Sequence, residues 1–520
     1  MPSILTCGKR LLLVLAIQPI GFIIAQEPEV LRIWNVKTSV LNLMPDIDGD
    51  GHPELLASDH IFSLPRISAA GVLRVLSSSG NLLFEHVGTF RNNVFGARSA
   101  SVGDVNGDGL ADYMGSGGFG QAKVFSGRDG SLLFAHIDTA EDAAPLGDVD
   151  DDGSGDFLLG SFNSVYLYRG GSFELRQLIV PPPGTGSFGW KTVSMGDIDG
   201  DAIVDFAVGA PGCNCRKGEP PGEVFVYSGR RGELLYRLVG EASDDRFGRT
   251  LEAPGDLTGD GIKDLVVGAF QCCDRDFGPG RLYFFDGKTG ALVRSLDPRS
   301  GGFSFAVEMD ELGDLDGNGF TDALVSMELF GGRVSGLAVD GHTREIIHEY
   351  DVGFTAIAGG GHDWNRDGFP DFLVGFYSTT RGIELRSGAP PGTEVLGQPC
   401  GSVLGQAPRI GATGVPTLGK SYSLHLTDVP ADVPAILRLG LLAGPVDPGQ
   451  RGCTLLSQPF ARFRVTTQKI APGRGAARLE LPIPPKPALL GLSFTAQWTV
   501  LDSRGLPIAV TRILRPTIGG

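Results

Sequence analysis

Short apolar runs alternate along most of the chain with turns that are rich in Gly, Asp and Ser. The runs Asp205–Val208, Glu223–Tyr227 and Glu233–Leu238 illustrate the pattern, because each contains β-branched or aromatic residues and is bounded by Gly or Asp. Runs of this kind indicate β-strands joined by hairpins. With one strand before the first run, the pattern predicts units of four strands.

A nine-residue pattern, Asp-x-Asp/Asn-x-Asp-Gly-x-x-Asp, recurs seven times between residues 46 and 371, at spacings of 44 to 59 residues. Propellers contain about 4–8 four-stranded blades. The repeat therefore predicts an all-β fold, with a seven-bladed β-propeller over residues 26–390. A solenoid or a string of separate modules is the alternative. The copies begin at Asp46, Asp104, Asp148, Asp197, Asp256, Asp314 and Asp363.

Two features of the repeat predict how the blades close and pack. The run Val30–Val36 precedes the first strand of the first blade, so we expect it to complete the last blade and close the ring. A Phe stands nine residues before the loop in five copies, and we expect it to pack between blades. These residues are Phe95, Phe188, Phe247, Phe305 and Phe354.

The repeated loops are predicted to bind calcium. Positions 1, 3, 5 and 9 place oxygen side chains around one point, position 7 offers a backbone carbonyl, and calcium takes about 6–8 oxygen ligands. Up to seven Ca²⁺ ions are expected. The candidate ligands are Asp46, Asp48, Asp50 and Glu54; Asp104, Asn106, Asp108 and Asp112; Asp148, Asp150, Asp152 and Asp156; Asp197, Asp199, Asp201 and Asp205; Asp256, Thr258, Asp260 and Asp264; Asp314, Asp316, Asn318 and Asp322; and Asp363, Asn365, Asp367 and Asp371.

Two loops depart from the pattern, and two other interpretations of it exist. Thr258 supplies only a hydroxyl, which should weaken the fifth site, and Ala202 replaces the Gly of the fourth loop at a strained position. Solvated Asx turns without metal are the simpler alternative. An EF-hand is excluded because no acid stands at position 12 and the flanks are strand-like.

The segment from Phe188-Gly189 through Gly196–Asp201 to Asp205–Pro211 resembles the FG-GAP repeat of integrin α-chain propellers. It is also similar to repeats of secreted bacterial proteins. Phe247-Gly248 and Phe95-Gly96 repeat the motif, whereas the first and third blades lack it. The resemblance implies a seven-bladed propeller with calcium in its loops, and extracellular binding or adhesion.

The two ends of the chain are predicted to differ from the repeats. Residues 1–25 have the layout of a secretory signal peptide, with a membrane anchor as the alternative. No later stretch is apolar for long enough to span a membrane, so we expect no transmembrane segment in the mature chain. Residues 391–400 are Pro- and Gly-rich and are predicted to be a linker. The β-like runs of residues 401–520 predict a small β-sandwich domain.

The mature chain has an even number of cysteines, which suggests disulfides in an exported protein. Cys213 and Cys272 occupy the same position in neighbouring blades, so bridges are expected between the pairs Cys213/Cys215 and Cys272/Cys273. Cys400 and Cys453 are expected to bridge within the C-terminal domain. A four-thiolate zinc site is the alternative for the first four, although the usual C-x₂-C pairs are absent.

The net charge and the motifs exclude some classes of function but do not identify a single one. The formal net charge of −16 argues against a nucleic-acid partner. No catalytic motif is present, and nearly all clustered acids stand in the seven loops, which favours binding over catalysis. We therefore expect a secreted or cell-surface adhesion module for an extracellular protein or glycan. The alternatives are a secreted polysaccharide-acting enzyme and a purely structural matrix component.

Overall fold

The structure is a computed structural model that describes residues 29–118, 120–212, 221–241, 245–269, 280–297, 302–329, 333–351, 356–376, 381–389, 393–396, 408–413, 421–440, 461–471, 474–483, 494–501, 507–510 and 513–516. Within these residues every regular element is a β-strand and no helix occurs. The prediction of an all-β fold is confirmed.

Seven four-stranded antiparallel sheets follow one another between Val30 and Arg386. The first strand, β1 (Val30–Trp34), belongs to the last sheet, and each of the other six sheets takes four consecutive strands. The first three of these sheets contain β2 (Val40–Met44), β3 (Glu54–Asp59), β4 (Val72–Leu76) and β5 (Leu82–Val87); β6 (Arg98–Gly103), β7 (Asp112–Ser116), β8 (Lys123–Phe125) and β9 (Leu132–Ala135); and β10 (Asp142–Gly147), β11 (Asp156–Ser161), β12 (Ser164–Tyr168) and β13 (Leu175–Ile179).

The next three sheets repeat the same order along the chain. They contain β14 (Lys191–Gly196), β15 (Asp205–Ala210), β16 (Glu223–Tyr227) and β17 (Leu234–Val239); β18 (Thr250–Gly255), β19 (Asp264–Ala269), β20 (Arg281–Phe285) and β21 (Leu292–Leu296); and β22 (Gly302–Gly313), β23 (Asp322–Leu329), β24 (Arg333–Val339) and β25 (Ile346–Asp351). The last sheet contains β26 (Ala356–Ala358), β27 (Phe372–Gly375), β28 (Ile383–Arg386) and β1.

The sheets are arranged as a closed ring. The first strand of each sheet contacts the first strand of the next, and β26 contacts β2 in turn. Four-stranded sheets placed around a common axis are propeller blades. The predicted closure is confirmed, because β1 pairs with β28 and brings Trp34 opposite Ile383. Trp34 is buried in a cluster with residues of the first and last blades.

The Phe-Gly pairs explain why neighbouring blades pack closely. Phe188 is fully buried between the third and fourth blades, and its ring meets Phe225 edge-on at 5.5 Å. Gly189 follows with φ of +89°, and its N–H donates to Gly209 across the blade at 3.1 Å. A Cβ at Gly189 would lie 2.5 Å from the Ser161 carbonyl oxygen of the preceding blade, so only Gly fits.

The remaining described strands form two sheets that share one hydrophobic cluster, which includes Leu424 and Trp498. Thr393–Leu396, inside the stretch expected to be a linker, forms a strand of the first sheet. That sheet contains β29 (Thr393–Leu396), β32 (Pro434–Gly440), β33 (Ala461–Thr466), β36 (Thr495–Leu501), β37 (Pro507–Val510) and β38 (Ile513–Pro516). The second contains β30 (Arg409–Thr413), β31 (Ser421–Val429), β34 (Gln468–Ala471) and β35 (Arg474–Pro482).

Candidate metal sites

Each predicted loop joins the first strand of a blade to the second, so all seven loops lie on the same face of the ring. The acid at position 1 organises the turn. In the fourth loop, Asp197 Oδ1 accepts hydrogen bonds from Gly200 and Asp201, and Asp197 Oδ2 accepts one from Ala202 at 2.8 Å. The bond from position 6 recurs in the other six loops, with Gly51, Gly109, Gly153, Gly261, Gly319 and Gly368 as donors.

The residue at position 6 adopts the left-handed conformation throughout. The glycines of the six other loops have φ between +86° and +99°, and Ala202 has φ of +68°. The prediction that Ala202 occupies a strained position is confirmed, because a non-Gly residue there crowds its own backbone. The sharp turn therefore forms in the fourth loop despite the missing Gly.

The acid at position 9 is the most deeply buried part of each loop. Asp205 Oδ2 accepts from the N–H of Ile198 at 2.8 Å, and Asp205 Oδ1 accepts from the N–H of Gly229 at 2.9 Å. Two such bonds, one to position 2 and one to a Gly after the third strand, recur at Asp112, Asp156, Asp264, Asp322 and Asp371. These acids and Glu54 are at most 2% exposed.

Burial raises the pKa of these position 9 acids above the usual range. Glu54 and Asp371 are each raised to about 7, and Asp112 to about 6, in each case chiefly by desolvation and further by acids of the same loop. A cation in the loop would favour the charged carboxylates and offset this effect. The loops thus collect negative charge that the backbone amides only partly compensate.

Two buried oxygens test whether the loops suit a cation. Glu54 Oε1 and Asp150 Oδ1 are buried and have no hydrogen-bond partner in the described part of the chain. Such an orphaned carboxylate oxygen is costly unless it is paired with a cation. Hard oxygen donors of this kind fit calcium or magnesium better than a softer metal.

Four loops bring three carboxylates together so that one ligand atom from each lies within 4.8 Å of the others. In the first and third loops the groups come from positions 1, 3 and 5, and in the fourth and sixth from positions 1, 3 and 9. Among the described residues, the second, fifth and seventh loops form no such three-acid group, whereas the sixth forms one although Asn318 replaces an acid there. The groups are Asp46, Asp48 and Asp50; Asp148, Asp150 and Asp152; Asp197, Asp199 and Asp205; and Asp314, Asp316 and Asp322.

In three loops an arginine from the same blade contacts one of the acids, which the sequence pattern did not predict. Arg128 lies 3.2 Å from Asp108, Arg230 lies 3.5 Å from Asp201, and Arg169 pairs with Asp150. Arg128 and Arg230 stand in the turn that follows the third strand of their blades, and Arg169 directly follows its third strand, β12. That turn also supplies the N–H that holds the position 9 acid, so loop and turn form one unit.

The sixth loop lies beneath the C-terminal sheets. Arg409 Nη1 is 3.8 Å from Asp314 Oδ2, and His425 Nε2 is 3.9 Å from Asp316 Oδ2. Phe369 of the seventh loop is buried in the C-terminal hydrophobic cluster. The C-terminal sheets therefore cover two candidate loops, at a position that periodicity alone could not indicate.

Comparison with known proteins agrees with this arrangement. A model of the FG-GAP-like repeat family matches residues 148–208, which contain the third and fourth loops. Integrin alpha-V of Gallus gallus is 29% identical over 223 residues, which are 38% of this chain and 21% of the integrin. Integrin alpha-4 of Xenopus laevis is 32% identical over 199 residues, which are 35% of this chain and 18% of the integrin.

Integrin alpha-E of Homo sapiens is 33% identical over 145 residues, which are 23% of this chain and 12% of that protein. This chain contains an FG-GAP-like repeat. The chain spans about a fifth or less of the length of these integrins. The resemblance seen in the Phe-Gly and Asp-rich motifs is therefore confirmed.

The axis of the FG-GAP propeller holds a second group of charges, which sequence reasoning missed. A cavity of about 260 Å³ is lined by the first strands of all seven blades, including Lys191, Glu252, Glu308 and Asp310. Burial raises the pKa of Glu252 to about 8 and that of Glu308 to about 7, and Asp310 adds to both. The expectation that nearly all clustered acids stand in the loops is thus wrong.

Cations also line this axial cavity, which we call the channel. Lys191 is 3.3 Å from Asp142, and Arg98 is 2.8 Å from Glu141. The guanidinium groups of Arg98 and Arg249 lie 5.5 Å and 4.6 Å from the ring centre of Trp190. These residues come from different blades. The sequence signal that could have indicated them is a polar side chain that recurs at a corresponding position of several first strands.

Three predictions concern residues outside the described part of the chain. The signal peptide of residues 1–25 and all candidate disulfide cysteines, Cys213, Cys215, Cys272, Cys273, Cys400 and Cys453, lie there. Phe354 also lies outside it. Among the described residues, no helix is long and apolar enough to cross a membrane.

Proposed function

We propose that this FG-GAP repeat protein is an extracellular binding module whose propeller is stabilised by divalent cations, with calcium as the preferred ion. The buried acids at position 9 carry this proposal, because each loop holds one beside three further oxygen side chains, at positions 1, 3 and 5. The partner is a protein or a glycan outside the cell. Export follows from the proposed signal peptide at residues 1–25.

Residues at positions 1, 3, 5 and 9 would hold the ion in each loop. A bound calcium would supply positive charge and would tie the first strand of a blade to the second. We expect weaker binding at the fifth loop, because Thr258 offers a neutral hydroxyl. We expect the strongest binding where three carboxylates already converge, in the first, third, fourth and sixth loops.

Metal analysis with a chelation melting curve tests this function. The purified chain, dialysed against calcium, should carry several and at most seven equivalents. A chelator should lower its melting temperature, calcium should restore it, and magnesium should restore less. A chain that carries no calcium and melts unchanged in the chelator would refute the proposal.

A secreted enzyme is the second candidate, and the channel acids favour it. Carboxyls with raised pKa values in a cavity are the groups that acid–base catalysis uses. Turnover of a polysaccharide by the wild type, lost in Glu252→Gln and Glu308→Gln variants that still fold, would establish this candidate. Binding without turnover would leave the leading proposal in place.

A further inference from the structure

A second cavity, of about 690 Å³, lies between the propeller and the C-terminal sheets. Its volume is within the range of small-molecule sites, which occur preferentially where domains meet. Loops five and six and the turn after β24 form one wall, and β31, β33, β34 and β35 contribute to the other. The lining includes Thr258, Asn318, Phe320, His342, Gln468 and Arg478. We call this cavity the interdomain cleft.

The charge of the interdomain cleft indicates a neutral ligand. Among the lining residues that the structure describes, none is Asp or Glu, and Arg478 is the one Lys or Arg. Arg478 already donates to Glu480 and to Ser423, each at 3.2 Å. A charged ligand would therefore be desolvated in the cleft without a counter-charge, which is unfavourable.

Hydrogen-bonding groups are available on both walls. The side chains of Thr466 and Gln468 line the interdomain cleft and form no hydrogen bond with another described residue. Thr343 is oriented by Asp340, to which its hydroxyl donates at 2.6 Å, so its oxygen can accept from a ligand. Hydroxyl and amide groups of this kind suit a ligand that both donates and accepts.

A flat ring adjoins these polar groups. His342 stacks on Phe320, with ring centres 4.2 Å apart and an interplanar angle of 14°. Phe320 is 7% exposed and supports the imidazole from below, whereas His342 itself is exposed. The imidazole therefore offers a rigid surface for an apolar ligand face.

We propose that the interdomain cleft binds a neutral oligosaccharide, with a sugar ring on His342 and its hydroxyls bonded to Thr343 and Gln468 on opposite walls. A pyranose combines an apolar C–H face with a rim of hydroxyls, which matches this lining. The inference rests on the proposed binding function and names its ligand class. It also gives the C-terminal sheets a role, because they supply half of the site.

The test is saturation-transfer NMR and calorimetry on the full chain in calcium. The probes are neutral trisaccharides (cellotriose, maltotriose, mannotriose and chitotriose), with trigalacturonate as a charged comparison. At least one neutral probe should bind and trigalacturonate should not. His342→Ala should weaken binding about tenfold or more, and Gln468→Ala about threefold. Phe162→Ala, which removes an exposed ring from the third blade, should leave binding unchanged.

The outcomes separate the inference from the function on which it rests. Unchanged affinity in both His342→Ala and Gln468→Ala would overturn the cleft site while leaving the proposed function standing. Binding of trigalacturonate alone, or of no probe, would overturn the ligand class. A chain that also carries no calcium would remove the proposed function itself. Gln468 is exposed, so its variant keeps the test valid if His342→Ala does not fold.

Discussion

Buried acids occur in two regions of this propeller, and they are compensated in different ways. In the loops, Asp205 accepts two short backbone hydrogen bonds and is held in place by its own blade. In the channel, Glu252 of β18 lies near Asp310 of β22 and near the ammonium of Lys191 of β14, and Glu308 of β22 adds a further buried carboxyl. Each loop therefore forms within a single blade, whereas the channel forms only when the ring is closed.

This difference means that the loop acids and the channel acids have different roles. Backbone amides orient the loop acids without a cation, so a loop acid stabilises its blade and leaves oxygens placed where the proposed ion would bind. The channel acids also accept backbone hydrogen bonds, Asp310 from Glu311 and Gly359 and Glu252 from Ala253, but burial still raises their pKa values towards the protonated form. A change that opens the ring should consequently disturb the channel and spare the loops.

The largest effect is expected for Trp34→Ala, which weakens the strand that closes the ring. Trp34 is 5% exposed, and its ring meets Trp364 edge-on at 6.4 Å. Truncating a buried aromatic residue costs about 3–5 kcal/mol. Chemical unfolding of the calcium-loaded chain measures this loss.

The neighbour Ile33 provides the control, because its side chain is 48% exposed on the same strand. Ile33→Ala should cost at most about 0.5 kcal/mol. Calcium affinity should change little in either variant, since the loops are local. Equal costs for the two variants would mean that β1 does not close the ring.

The next largest effect is expected for Asp205→Ala, measured in chelator. The substitution leaves the N–H groups of Ile198 and Gly229 without their acceptor, and each unsatisfied buried group costs about 1–3 kcal/mol. We expect a total loss of about 2–4 kcal/mol even without calcium.

Asp199→Ala in the same loop is the matched control. Asp199 accepts one hydrogen bond, from Asp201 at 3.1 Å, and lies at the edge of the loop. Its loss should reduce calcium affinity while costing about 1 kcal/mol or less in chelator. If Asp205→Ala lowered the free energy of unfolding only in calcium, and not in chelator, Asp205 would stabilise the chain solely by binding the ion.

The loops could be predicted from the sequence because their ligands are neighbours in the chain. Nine residues contain the turn, the acids and the Gly that permits it, and a single blade folds them together. Periodicity also predicted the four-stranded units, and Val30–Val36 predicted the closing strand. These features depend on local spacing, which the sequence displays directly.

The channel and the covered loops could not be predicted, because ring closure and domain docking create them. Lys191, Glu252 and Asp310 are far apart in sequence and meet only at the axis. Arg409 reaches Asp314 across a domain boundary, and no repeat relates the two residues. The arginines of loops two to four stand beyond the nine-residue pattern, so the motif carried no information about them.

A smaller effect, in the pH dependence of stability, is expected for Glu252→Gln. Burial holds the folded-state pKa of Glu252 at about 8, with Asp310 and Glu311 raising it and Lys191 lowering it. The folded state therefore binds more protons than the unfolded state between about pH 4.5 and 8, so wild-type stability falls as pH rises through this window.

The Gln variant lacks this titration. The difference in free energy of unfolding, variant minus wild type, should increase by about 1–3 kcal/mol between pH 5 and pH 8. Both proteins are measured in saturating calcium, so the loop acids contribute equally and cancel. Parallel pH profiles would mean that the folded-state pKa of Glu252 is not raised in the channel.

The smallest effect is expected for Arg409→Gln, which compares a covered loop with an open one. The guanidinium of Arg409 donates to the Gly368 carbonyl at 2.8 Å and lies 3.8 Å from Asp314 Oδ2. Its positive charge repels an incoming cation, so its loss should tighten one calcium equivalent about threefold, a change of roughly 0.6 kcal/mol. Calcium titration by calorimetry measures it.

Arg230→Gln is the matched variant, because Arg230 lies 3.5 Å from Asp201 in the uncovered fourth loop. Both variants should tighten one site if the arginines act only through charge. If Arg409→Gln instead weakens a site while Arg230→Gln strengthens one, docking of the C-terminal sheets must hold the sixth loop in its binding form. Small-angle scattering of the Arg409→Gln variant would then show a more extended chain, because the same contacts secure both the loop and the domain.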